Sequence, residues 1–218
     1  MSRLFNIDNP FMQFLSRMFD LIVLNVVFIL SCIPIITIGA SLSALYSVTL
    51  KMVRGTDSYV IKGYFKAFAA NFKQGTLMWL LFAALFFFLG FDYTIAASQN
   101  SGMFQTVRIL LLMVILVLAA AFFYVFPIAS HFVCTTKQLI RNSFLMSIGH
   151  LPYTAVLFVY CGVVIFLASR STSLFGGVMG VSMICGFSVT AYFFSIIFSK
   201  IFKKYEPEES DEENNILE

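Results

Sequence analysis

Asp20, Asn25 and Asp92 are the side chains whose type and apolar surroundings could support a proton or polar-solute path. A carboxylate within a membrane segment is costly and commonly marks such a path. Asp20 is spaced to pair with Arg17 on one helix face. Asp92 is read at the outer end of its apolar run, where its carboxylate reaches water, so it is expected to be dispensable. Asn25 lies deeper, and an interhelical hydrogen bond is its expected task. His131 and His150 have no Cys or carboxylate at ligand spacing, so no metal site is expected. Cys32, Cys134, Cys161 and Cys185 form no Cys-x-x-Cys pair and read as small apolar packing residues. No glycine-rich phosphate loop, Gly-x-Ser-x-Gly or His-Glu-x-x-His occurs. No catalytic residue, cofactor or metal is therefore predicted, and the chain is expected not to be an enzyme.

The elements that must hold these residues are long and apolar. Hydrophobic residues make up 60% of the chain and charged residues 11%, against about 25% charged in a soluble domain. Runs of about 20 apolar residues, enough to cross a bilayer as helices, begin near Phe19, Thr76, Val107, Tyr153 and Gly176. The expected fold is all-α: a polytopic membrane protein with five transmembrane helices, or six if the chain breaks at Pro34 and Ile35–Val53 makes a second pass. Residues 1–204 read as one transmembrane domain, with the first apolar segment retained. Residues 205–218, with six acidic residues between Glu206 and Glu213, read as a disordered acidic tail.

Ten of the fourteen basic residues fall in alternating connections and just before the tail. Positive residues concentrate in cytoplasmic segments, so the C-terminus is expected in the cytoplasm. The N-terminus is then outside with five spans and inside with six. No basic tract with interleaved aromatics occurs, so nucleic acid is not an expected partner. The bilayer is.

Two connections read as amphipathic elbow helices. Ile61, Phe65, Phe68 and Phe72 share a stripe at helical spacing, flanked by Lys62, Lys66 and Lys73. Ile140, Arg141 and Phe144 form a weaker second copy. Such segments lie in the interface with aromatics in the acyl boundary. They either anchor the chain or dock a membrane or cytoplasmic partner. At a constant offset Ile61, Lys62, Phe65 and Phe72 align with Ile140, Arg141, Phe144 and Leu151, and Ile33-Pro34-Ile35 resembles Phe126-Pro127-Ile128. A parallel repeat is expected, each half a long helix bent at proline, an elbow and a returning span. Small residues at Gly39, Ser43, Gly176 and Gly180 predict close helix packing.

The run Ser31-Cys32-Ile33-Pro34-Ile35-Ile36-Thr37-Ile38-Gly39-Ala40 carries a family likeness. So do Thr49-Leu50-Lys51-Met52-Val53-Arg54-Gly55 and Asn71-Phe72-Lys73-Gln74, and, more weakly, Lys137-Gln138-Leu139 and His150-Leu151-Pro152. The chain thereby resembles the YesL family, the DUF624 group of bacterial membrane proteins, over residues 5–165. That family has no established activity. Its members occur beside carbohydrate-uptake and polysaccharide-degradation genes, often with sugar ABC transporters. The resemblance implies a non-enzymatic accessory protein of the bacterial plasma membrane, with a carbohydrate ABC transporter as an expected partner. The alternative is a small secondary transporter or channel built on the two-fold repeat.

Overall fold

The computed structural model describes residues 10–56, 59–99 and 101–205. The acidic tail expected at 205–218 lies outside them from Glu206 onward. The described residues form eight α-helices and no strand. They are α1 (Pro10–Cys32), α2 (Ile38–Arg54), α3 (Val60–Ser98), α4 (Gly102–His131), α5 (Thr136–Gly149), α6 (Leu151–Arg170), α7 (Thr172–Val181) and α8 (Phe187–Phe202). A π-helical turn, Ser182–Gly186, joins α7 to α8, so that Thr172–Phe202 is one long element. Six helical elements are long and apolar enough to cross a membrane. The sixth comes from the break at Pro34, so the six-span count replaces the five-span one.

Pro34 ends α1 because the residue before a proline is pushed out of helical conformation. The carbonyls released at the helix end need donors, and hydroxyls supply them. Thr37 Oγ1 donates to the Ser31 and Pro34 carbonyls at 2.7 Å each, and Ser41 Oγ donates to Ser31 at 3.1 Å. Helix α2 then runs through the centre of the molecule, packing on α3, α8 and α4. Gly39, Ala40, Ser43, Ala44 and Ser47 are all buried, and its hydroxyls bond back to its own carbonyls. It stops at Gly55, whose φ of 69° is a left-handed conformation that costs glycine nothing.

Gly39 meets Gly75 where α2 crosses α3. A Cβ on Gly39 would overlap the Gly75 carbonyl and lie 2.6 Å from Trp79 Cβ, while a Cβ on Gly75 would lie 2.9 Å from the Gly39 carbonyl oxygen. The two backbones touch, which only glycine allows.

The first expected elbow is not a separate helix. Val60–Ser98 is one uninterrupted helix of 39 residues, about 58 Å at 1.5 Å per residue. Between Phe72 and Thr76 no proline interrupts it, and Gly75 is held helical by its contact with α2. The apolar run from Thr76 can span by itself, leaving Val60–Lys73 as a basic, aromatic arm. The second elbow is a separate helix, α5, because Pro152 must sit in the first turn of a new helix, α6. Conversely Pro127, equated with Pro34 in the repeat, lies inside α4, which continues to His131. The two halves therefore break at opposite places, and their geometry is not a repeat of one unit.

Candidate functional site

The arm of α3 shows two faces. Tyr64, Ala67, Gly75 and Met78 are buried, and the Tyr64 hydroxyl bonds to Ser31 Oγ on α1. Phe68 is half-buried and stacks on Tyr64, with ring centroids 6.3 Å apart, so it is not part of an outward aromatic stripe. Ile61, Lys62, Phe65, Lys66, Phe72 and Lys73 are exposed. Phe65 is 53% accessible and Phe72 41%. An amphipathic helix normally turns its apolar residues inward. Here α2 supplies its small-residue face to the Tyr64 side, and three large apolar side chains are left outside beside three lysines.

In α5 the corresponding side chains are differently disposed. Arg141 is exposed, but Ile140 and Phe144 are half-buried and pack on the core. Thr135 and Gln138 form a reciprocal cap, with Thr135 N–H donating to Gln138 Oε1 at 2.9 Å. At the other end Thr154 gathers the break before α6. Its hydroxyl lies 2.9 Å from the Ser147 carbonyl oxygen and 2.9 Å from the Tyr124 hydroxyl. Thr154 donating to Ser147 leaves Tyr124 donating to Thr154. Burial, and then the Lys204 ammonium, push the His150 imidazole below its usual range. A neutral ring can accept from the Tyr205 hydroxyl, 3.0 Å from Nε2. His131 stacks on Phe202 at 5.3 Å, nearly parallel. Burial raises the Cys134 thiol, which keeps it protonated. Gln74 Nε2 donates to the Cys134 carbonyl at 2.9 Å, tying the base of the arm to the start of the α5 connection.

The polar-path residues occupy unlike environments. Asn25 has no exposed surface. Its Nδ2 donates to the carbonyls of Ser182 at 3.1 Å and Met183 at 2.8 Å, and its Oδ1 accepts from Ser188 N–H at 3.1 Å. A π-turn displaces backbone groups from ordinary helical pairing, and one amide side chain from α1 serves three of them. Asn25 thus makes the interhelical bond, and its amide is spent on the π-turn. Asp92 is exposed toward the C-terminal end of α3. Asp20 is half-buried midway along α1, which reaches back to Pro10, so it is not at a helix end. Arg17, expected beside Asp20, donates to the Tyr192 hydroxyl at 3.3 Å. Arg108, one turn into α4, caps the end of α3 through the carbonyls of Ala96, Ala97 and Gln99.

Among the packing residues, Gly39 and Ser43 are buried in α2, but a Cβ on Gly176 or Gly180 would meet nothing within 4 Å. Those two glycines make no close approach among the described residues. Sequence reasoning missed the hydroxyl pairs Thr49–Ser195, 2.7 Å, and Tyr160–Thr190, 2.7 Å, which join α8 to α2 and to α6. Isolated hydroxyls inside apolar runs were the available signal.

Residues 21–93 match a family described as protein of unknown function, DUF624. That stretch contains the Pro34 break, the Gly39–Gly75 crossing and the arm. Over 150 residues the chain is 24% identical to the uncharacterized protein YesL of Bacillus subtilis (strain 168), covering 68% of this chain and 70% of that relative. No solved structure matches.

Proposed function

We propose that this protein, a member of the YesL/DUF624 family, is a non-enzymatic accessory protein of the bacterial plasma membrane that docks a carbohydrate-uptake complex through the arm of α3. The observation that carries this reading is the outward face of the arm: Ile61, Phe65 and Phe72 exposed beside Lys62, Lys66 and Lys73. Exposed aromatics rimmed by charge are the composition of an interaction centre. The distribution of basic residues supports a cytoplasmic position for this arm, α5 and the C-terminus. The partner expected there is a permease or ATPase subunit of a sugar importer.

The test is cross-linking in native membranes followed by recovery of importer subunits. Phe65→Ser combined with Phe72→Ser removes exposed rings, with their edge contacts to Tyr64 and Phe68, and leaves the Tyr64–Ser31 hydrogen bond in place. Two such aromatics contribute about 1.5–3 kcal/mol each when buried at an interface, so recovery is expected to fall at least about tenfold with unchanged membrane insertion. Unchanged recovery, with the variant folded, reduces the arm to a lipid anchor. Solute flux by the purified protein alone points instead to the transporter reading.

A further inference from the structure

The end of α4, one side of α5 and the turn that follows α8 line an open cavity of about 610 Å³. Its apolar wall includes Phe132 and Met146; its polar wall includes Gln138, Arg141 and Asn142; Tyr205 lines it from the turn after α8. The volume falls within the range of about 300–1,000 Å³ that holds small ligands. Helices α4 and α8 are both membrane-span candidates, and the stacking of His131 on Phe202 shows that their ends meet here. The cavity therefore opens where two span candidates finish, and a bilayer crossed by both would bring its headgroups to this level.

Among the described residues, its electrostatics are one-sided. Gln138 commits its oxygen to Thr135, leaving its NH2 as a donor. Arg141 has only donors. Lys137 lies one turn before Arg141 on α5, and Lys204 is near enough to His150 to act on its imidazole. The carboxylates among the described residues are Asp20 in α1 and Asp92 in α3, and neither helix lines the cavity. The site thus offers donors and positive charge beside an apolar wall, with no described acid to neutralise them.

We propose that this cavity binds one anionic phospholipid. Arg141 and Asn142 donate to the headgroup phosphate, and an acyl chain lies along Phe132 and Met146. Basic pockets between membrane helices take anionic headgroups for this reason, and a guanidinium suits a phosphate better than a point charge does. The site is separate from the outward face of the α3 arm, so it stands or falls apart from the docking reading.

The test is native mass spectrometry of the full chain released from nanodiscs with equal phosphatidylglycerol and phosphatidylcholine. The wild type is expected to retain one phosphatidylglycerol about fivefold over phosphatidylcholine, as about one basic contact contributes. Arg141→Gln with Asn142→Ala should erase the preference at an unchanged melting temperature. Lys62→Gln, an equal charge loss on the arm, should leave it intact. Equal retention of both lipids by the wild type overturns the proposal. So does a preference that survives the double variant, or one that Lys62→Gln abolishes equally. Displacement of the lipid by millimolar sn-glycerol 3-phosphate also overturns it, because the cavity then serves a soluble phosphate ester.

Discussion

The α1–α2–α3 unit and the α4–α5–α6 unit contain matching tripeptides and matching amphipathic stretches, yet each bends where the other runs straight. In the first, the chain breaks at Pro34 and then forms one unbroken helix through the amphipathic stretch into the span. In the second, the helix passes Pro127 and breaks after Gly149. The neighbours decide. Around Pro34, Ile33, Ile35 and Ile36 are exposed, and the hydroxyls of Thr37 and Ser41 donate to the carbonyl freed at the helix end. Around Pro127, every residue from Tyr124 to Ala129 is buried, and that packing offsets the cost of proline in a helix, about 3 kcal/mol. The consequence is functional. A continuous α3 presents its arm as a rigid extension of a span, with aromatics outward. A broken α5 folds beside the ends of α4 and α8 and makes a cavity.

The largest expected effect tests the rigid half at its tightest point. Gly39→Leu must separate the α2 and α3 backbones, since Cβ alone overlaps Gly75. Overpacking of this kind costs about 3 kcal/mol or more when the obstacle is backbone, and the melting temperature in detergent should fall sharply. Gly162→Leu in α6 is the paired control, because a Cβ there meets nothing within 4 Å. It should shift stability by no more than about 0.5 kcal/mol. Equal losses in both variants would remove the packing contrast between the halves.

A smaller, local effect is expected from placing a proline in the first half where the second half has one. Lys73 aligns with Pro152 at the repeat offset, and its side chain is exposed. Lys73→Pro removes the helical bond to Ala69 and clashes with that carbonyl, at a cost of about 3 kcal/mol confined to the arm. Trypsin should then cut faster at Lys62 and Lys66 in nanodiscs, while the span stays protected. An arm that resists cleavage as in the wild type would mean that α2 packing, not helix continuity, holds it.

Five of the spans, the small-residue face of α2 and the site of the arm were legible in the sequence, because 20-residue apolar runs and 3.6-residue spacing need no partner to be recognised; α2 as a sixth span was only the alternative reading. The fate of each proline was not. Ile33-Pro34-Ile35 and Phe126-Pro127-Ile128 are the same pattern, and only the surrounding packing separates a break from a passage. The arm's buried face was misassigned for a related reason: Phe68 belongs with Tyr64 against the body, while Phe65 and Phe72 face out. The cavity joins residues from α4, α5 and the turn after α8, far apart in the chain, and no local signal announces it. The π-turn carries Ser182 and Gly186 at close-packing spacing, which does not announce it, and its partner Asn25 lies on another helix.

The smallest effect concerns how each amphipathic stretch begins. Helix α5 opens with the Thr135–Gln138 box, whereas α3 starts after Tyr59, which makes no side-chain cap bond. A free-standing α5 has no preceding turn to satisfy its first N–H groups, so the hydroxyl of Thr135 matters. The arm of α3 is instead held by burial of Tyr64 and Ala67 against the body. Thr135→Ala should therefore cost about 1 kcal/mol locally. It should speed amide exchange at Gln138–Ile140 about fivefold, with little change in global melting. Tyr59→Ala, at the uncapped start of α3, should leave exchange at Lys62–Tyr64 nearly unchanged. If Thr135→Ala is silent, α5 is held by its contacts with α4 alone, and the two stretches are stabilised in the same way despite their different breaks. If it also lowers phosphatidylglycerol retention, the cap is what keeps Arg141 and Asn142 at the cavity wall.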